Sequence, residues 1–267
     1  MDAKQLTEQV INWTRNYLNS FGGETKAIIG ISGGIDSSTA AALCVAAVGK
    51  ERVIGILMPN GVQHDIDKSK KLVEFLQIRS YVLNISDIQN DYTKVLTEAF
   101  DFDSVVKNKV YYSNNPARVR MAMLYAVSAI IGNCRVCNTC NKSETYVGYD
   151  TRWGDQCGDF SPIGNIVKTD VKEIAKVLGL PQDLVEKPPE DGMLLKADGT
   201  YMTDEENFGF TYDVLDHYLK TGEIADIKTK DRIEALHSKS LFKVQPIPTF
   251  GNDDLRIVQR AGEGALK

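Results

Sequence analysis

The chain has no apolar run approaching the roughly 18 residues that cross a bilayer, and its start, Met1-Asp2-Ala3-Lys4-Gln5, is polar. Both absences argue against membrane insertion and export, and for a cytoplasmic protein. Long basic runs are missing too: 31 Lys and Arg mix with 36 Asp and Glu, for a net charge of −5. Such a surface does not neutralise a phosphate backbone, so nucleic acid is a poor first partner. Cysteine is sparse and odd in number, five in 267 residues, which excludes a disulfide scaffold and predicts reduced thiols. Histidine is scarcer still. No Ser or Cys nucleophile motif accompanies His64, His217 or His237, so these are read as surface or helix residues.

What the sequence does contain is a core and a rhythm. With 43% hydrophobic residues, the chain is long enough to bury a full core, and one domain over 1–267 is expected. Leu6, Val10, Trp13, Tyr17 and Leu18 recur at helical spacing over 3–20. Strands are predicted at 27–31, 53–58, 81–85 and 135–138. Helices are predicted at 39–48, 64–77, 86–101, 170–178, 204–220 and 229–238. The segment 117–132, with Val119, Met121, Met123, Leu124, Val127, Ile130 and Ile131, reads as a long, largely buried helix. Strand and helix alternate, which predicts an α/β fold: a doubly wound parallel sheet with helices on both faces. Two stretches of low periodicity, 149–164 and 187–203, are predicted to be long functional loops.

Between the first strand and the next helix lies Gly30-Ile31-Ser32-Gly33-Gly34-Ile35-Asp36-Ser37. A turn from a strand into a helix N-terminus aims backbone N–H groups and the positive end of the helix dipole at one point, which suits a phosphate. Gly33 and Gly34 permit close approach of an anion. Ser32, Ser37 and Ser38 add hydroxyls, and Asp36 is suited to holding magnesium against the phosphates. A bare Gly-Gly turn also serves as a simple connector; the whole string in this setting favours ATP. The Gly-Lys-Ser/Thr ending of a γ-phosphate-transferring loop is absent. The turn is therefore read as a receptor for leaving pyrophosphate, with reaction at the α-phosphate.

The string resembles the pyrophosphate loop of the ATP pyrophosphatases. Further motifs follow: Asn115-Pro116-Ala117-Arg118-Val119-Arg120-Met121, Asn138-Thr139-Cys140-Asn141-Lys142-Ser143-Glu144, Gly148-Tyr149-Asp150-Thr151-Arg152-Trp153-Gly154-Asp155 and Gly158-Asp159-Phe160. In that order they resemble the ammonia-dependent NAD synthetases, over about residues 4–250. The resemblance implies an adenine nucleotide alpha-hydrolase-like fold and amidation of nicotinic acid adenine dinucleotide to NAD. ATP is the co-substrate and goes to AMP and pyrophosphate. It implies magnesium on Asp36 and Glu144, ATP contacts from Gly30 to Ser37 and from Thr139 and Lys168, and dinucleotide contacts from Arg118, Arg152, Asp159 and Lys243. Asp36, Glu144 and Lys168 form the implied catalytic group. A homodimer is implied as well. Residues 1–25 leave no room for a glutaminase domain, so free ammonia is the expected nitrogen donor.

Three positions depart from the family pattern: Asn138 stands where Gly is frequent, Glu190 where Ser or Thr is usual, and Phe242 where His precedes Lys243. Two other readings are open at this level, another ATP pyrophosphatase of the tRNA-thiolating or GMP-forming kind and a non-catalytic nucleotide sensor. The absence of a basic patch counts against the first, and the retained Asp36 and Glu144 against the second. Cys134, Cys137, Cys140 and Cys157 invite a metal site, but strand alternation sends Cys134 and Cys137 to opposite faces, which favours a structural role. Trp153 and Tyr149 are equally suited to stacking on a base and to anchoring their loop. Asp204-Glu205-Glu206 reads as a helix start with no catalytic role.

Overall fold

A computed structural model gives the architecture of residues 2–63, 65–188 and 202–250. Of the expected loop 187–203, residues 189–201 lie outside the described residues, Glu190 among them, as does His64.

Four strands form one parallel sheet: β1 (Lys26–Gly30), β2 (Val53–Leu57), β3 (Arg79–Val82) and β4 (Cys134–Cys137), in the order β3-β2-β1-β4. β1, β2 and β4 each lie within one residue of the predicted range, whereas β3 starts two residues and ends three residues before its predicted 81–85. β2 is buried along its whole length, as befits a parallel strand covered on both faces. The register sets Ile28 beside Ile54 and Val136, and Gly30 beside Ile56.

Alternation along the strands sorts their side chains into two cores. Ala27, Ile29, Val53, Leu57 and Cys137 join a cluster with α1 (Ala3–Asn19), α2 (Ile35–Val48) and α8 (Lys168–Val177). Ile28, Ile54, Ile56, Val136 and Cys134 face the other way, toward α4 (Ser86–Ala99) and α6 (Lys109–Ile131). Ile28, Ile29 and Ile56 are fully buried, each worth about 1.5–3 kcal/mol of transfer free energy. Cys134 and Cys137 thus sit in different cores.

From β1 the chain winds outward through β2 and β3, with α3 (Ile66–Leu76) between them. It then returns through α4, α5 (Phe102–Val106) and α6 to place β4 on the other side of β1. The carboxyl ends of β1 and β4 are therefore the switch point of the sheet, where open α/β folds bind ligands. The turn after β4 leads to α7 (Lys142–Val147), and a short helix, α9 (Gln182–Val185), follows α8.

Two expectations need correction. The helix predicted over 204–220 is two: α10 (Asp204–Phe208) ends on Gly209 at φ 79°, and α11 (Tyr212–Thr221) starts afresh from Thr211, whose side chain accepts from the Val214 amide. A glycine in the left-handed region followed by a new cap stops one helix and starts another. The helix α6 begins earlier than predicted and is not largely buried; only Pro116 and Val119 are. The last helix, α12 (Ile227–Ser240), packs on α7.

Candidate active site

The loop after β1 is built by Gly33 and Gly34. Gly33 has φ 81°, and a Cβ there would lie 3.0 Å from both the Lys68 Cβ and the Ser69 amide nitrogen of α3, so only glycine fits. Gly34 is the N-cap of α2 and offers no side chain, so nothing caps the helix's first amides. Hydroxyls stiffen the turn instead. Ser32 and Ser37 Oγ atoms lie 3.1 Å apart, and Ser38 Oγ donates to the Gly34 carbonyl at 2.7 Å. Uncapped amides at a helix start, held in a rigid turn, form an anion receptor.

Asp36 sits in the first turn of α2 and Glu144 in that of α7, and Lys168 is the first residue of α8. Three helix starts converge here. The Lys168 ammonium is 2.5 Å from Asp36 Oδ2 and 2.7 Å from Glu144 Oε1, and its side chain is only 2% exposed. Burial opposes its charge, but the two carboxylates outweigh burial and hold its pKa above the usual lysine value. Glu144 is displaced upward by burial and by the like charge of Asp36, with Lys168 opposing. The two carboxylates thus form a half-buried, electron-rich pair that is balanced by a buried cation.

Asn141 fixes this geometry. It caps α7 through the Glu144 amide at 3.0 Å, and its Nδ2 donates to Asp36 Oδ1 at 2.9 Å. Tyr212 adds a hydroxyl 3.4 Å from Glu144 Oε1 and 3.0 Å from Asp204 Oδ2. Sequence reasoning assigned neither residue a role. An Asn three residues before Glu144 is a readable capping signal; Tyr212 gave none.

A cavity of about 590 Å³ opens over these groups at the strand ends. The loop, Thr139, Glu144 and Lys168 line it, as do Arg120, Asp155 and Asp204. Asp204 starts α10 as expected, yet its carboxyl is buried at the cavity edge.

The four residues implied for the dinucleotide do not line that cavity. Arg118, Arg152 and Lys243 gather on an adjoining face. The Arg118 Nε donates to the Arg152 carbonyl at 3.4 Å, and the Arg152 guanidinium lies 5.0 Å from the Trp153 ring and 5.6 Å from that of Phe242. Lys243 donates to the carbonyls of Gly148 and Asp150 at 2.7 and 2.6 Å, tying the C-terminal segment to the end of α7. Asp159 stands apart at β4, where Oδ2 accepts from the Val136 amide at 2.7 Å and Oδ1 from the Tyr125 hydroxyl at 3.2 Å.

The departure at Asn138 has a structural account. Its Nδ2 donates to the carbonyls of Asp155 and Cys157, while its Oδ1 accepts from the Cys140 amide and Ser161 Oγ. One buried side chain thereby staples the 155–161 loop to the end of β4.

The NAD synthase family model matches residues 6–247. The chain belongs to the NAD synthase family. An NH3-dependent NAD(+) synthetase of Methanocaldococcus jannaschii is 39% identical over 81% of this chain and 82% of its own. Among solved structures, an NMN synthetase from Francisella tularensis superposes with a TM-score of 0.83 at 30% identity, covering 94% of this chain and 100% of that one. An NH3-dependent NAD synthetase from Campylobacter jejuni gives 0.72 at 26% identity, with 94% and 100% covered. The sheet flanked by helices is thus that of the NAD synthases.

The remaining candidates fall into place. Tyr149 packs edge-on against Phe208 at 4.8 Å and anchors its loop, whereas Trp153 is 51% exposed at φ 63°. Cys137 neighbours Cys44 inside the core, and Cys140 Sγ donates to the Asp155 carbonyl at 3.3 Å. Among the described residues no cluster of three or more His, Cys, Asp or Glu forms a metal cage. Magnesium held by one or two carboxylates and by substrate phosphates needs no such cage, and the Asp36–Glu144 pair has the donor chemistry for it.

Proposed function

We propose that this chain is an ammonia-dependent NAD synthetase that amidates nicotinic acid adenine dinucleotide and converts ATP to AMP and pyrophosphate. The observation that carries this reading is the convergence of Asp36, Glu144 and Lys168 beside an uncapped Gly-rich loop at the switch point of an NAD synthase sheet.

A carboxylate is inert to ammonia until its oxygen becomes part of a good leaving group. The nicotinate oxygen attacks the α-phosphorus, and pyrophosphate departs into the amides of residues 32–37. Lys168 keeps a fixed cation beside the phosphates, and Thr139 contacts ATP. Asp36 and Glu144 would hold magnesium, which supplies charge neutralisation for the pyrophosphate. Ammonia then attacks the adenylated carbonyl and expels AMP. Arg118, Arg152 and Lys243 bind the dinucleotide on the adjoining face, where guanidinium and ammonium groups suit phosphates, and Asp159 contributes from its separate place at β4. The chain acts as one catalytic domain in the cytoplasm, a setting consistent with five free thiols. It does so as a homodimer, for which Ile130 of α6, an apolar side chain 84% exposed, offers a contact.

A second reading differs only in the substrate's length. The 0.83 superposition on an NMN synthetase favours nicotinic acid mononucleotide, while the 39% identity to an NAD(+) synthetase favours the dinucleotide. Incubating the protein with ATP, magnesium and ammonia plus either substrate, and following AMP with NAD or NMN, tests both. Faster amidation of the dinucleotide is expected; turnover of neither would sink the reading.

A further inference from the structure

Arg118 and Arg120 are two residues apart on α6. On a helix such neighbours point about 200° apart, so one of them at most faces the cavity. The structure selects Arg120 as a lining residue and leaves Arg118 exposed on the other side.

Arg120 is held in place by a single side-chain hydrogen bond among the described residues, from Nε to the Met58 carbonyl at 3.0 Å. That carbonyl is just past the end of β2. Two residues earlier, the Ile56 carbonyl accepts from the Ile31 amide at 2.9 Å, at the mouth of the phosphate loop. Arg120 is therefore anchored one strand spacing, about 4.8 Å, to the side of the loop and two residues further out. It reaches the rim from the α6 face of the sheet, while Lys168 arrives from the α2 and α8 face. Asp155 is the carboxylate that acts on it, but Oδ1 of Asp155 accepts from the Thr151 amide at 2.6 Å and makes no ion pair with Arg120. Burial lowers the guanidinium's pKa, with Asp155 opposing, and an arginine so placed is still a cation. The result is a half-buried fork whose two terminal nitrogens have no acceptor among the described residues.

The amidation chemistry needs such a group away from the pyrophosphate end. In the second step the nitrogen of ammonia bonds to the carbonyl carbon, and the bond from that carbon to the adenylyl oxygen breaks. Its electron pair stays on the phosphate, the nitrogen loses a proton to water, and the phosphate goes from one negative charge to two. Lys168 and the loop stand at the leaving pyrophosphate, whereas the charge that grows in this second step is on AMP.

We infer that Arg120 is a further catalytic residue, which binds the α-phosphate of ATP with its terminal nitrogens and stabilises AMP as it leaves. The inference rests on the amidation reading for its role in turnover, but not for the binding it predicts. The test compares wild type with Arg120→Met and Arg120→Lys, each checked for native circular dichroism and melting. Calorimetric titration with AMP and with adenosine separates phosphate recognition from packing on the base. Arg120→Met should weaken AMP about tenfold or more and leave adenosine unchanged, and Arg120→Lys should restore part of the loss. In turnover, product formation should fall about 100-fold, and ammonia-free exchange of pyrophosphate into ATP should fall less. Equal weakening of AMP and adenosine, or unchanged AMP binding, would overturn the inference. If wild type amidates neither substrate, the function reading fails, and the AMP and adenosine titrations still decide whether Arg120 receives the phosphate.

Discussion

The helices α2 and α6 lie on opposite faces of one sheet and were read from the same kind of signal, a run of apolar residues, yet they are used differently. In α2, ten of 14 residues are buried, most of them Ala, Ser and Thr, and the helix packs on β1, α1 and α8. In α6, two of 23 are buried, and Ile130 is 84% exposed. Small side chains let α2 approach the sheet closely and hold the phosphate loop rigid. The large apolar side chains of α6 cover the sheet on one side and leave the other for something else. An apolar helix is thus not always one that its own chain buries.

The largest break in this comparison is expected on the α2 side, at the charge cluster. Lys168→Met leaves two carboxylates facing each other in a buried site, so stability should drop by about 3–5 kcal/mol and turnover should be lost, read by urea unfolding and by AMP release. Unchanged unfolding would show that solvent replaces the ammonium. Next comes the loop: Gly33→Ala drives a Cβ to 3.0 Å from α3 and strains a φ of 81°, so nucleotide affinity should fall by two orders of magnitude or more on titration, with about 1–3 kcal/mol of stability lost. A direct contrast of the helices follows. Leu43→Ala in α2, at a fully buried site, should cost about 2–5 kcal/mol. Ile130→Asp in α6 should leave the melting of the monomer within about 0.5 kcal/mol and shift the mass seen by light scattering from dimer to monomer. Loss of stability without a change of mass would mean that α6 closes on its own chain.

The smallest effect lies at the edge of α3. Asp183 pairs with Lys68 at 2.6 Å and Lys71 at 2.5 Å, and hydrogen bonds from both hold its carboxyl down at about 2. A carboxyl depressed from its ordinary 3.8 adds stability that is complete above that value and disappears as pH falls toward 2. The difference in melting between wild type and Asp183→Asn should therefore be small at pH 7 and shrink further by pH 3. A constant difference would assign the effect to packing.

Much of the site was legible. Asp36, Glu144 and Lys168 were named from motif order, and the three meet. The glycines of the loop were named from backbone need, and Gly33 has the positive φ that such a need implies. Less legible were the residues that act through geometry alone. Asn141 and Tyr212 hold the carboxylates from turns and helices far apart in sequence, and Arg120 stands out in the sequence only as part of a motif, because spacing does not say which of two arginines turns inward. The split at Gly209 was missed for a different reason: charged residues kept the helical pattern running through a capping glycine.

The sequence by itself determined the alternating architecture and the position of the glycine-rich loop, which rest on local rules, periodicity and glycine freedom. Glu144 was paired with Asp36 by family resemblance. Only the tertiary structure decided that Lys168 stands between Asp36 and Glu144 and that Arg118 and Lys243 lie on a face apart from the cavity. It also decided that α6 leaves an apolar surface uncovered. Such facts depend on which segments meet across more than a hundred residues, and that is set by the packing of the whole sheet, not by any one of its parts.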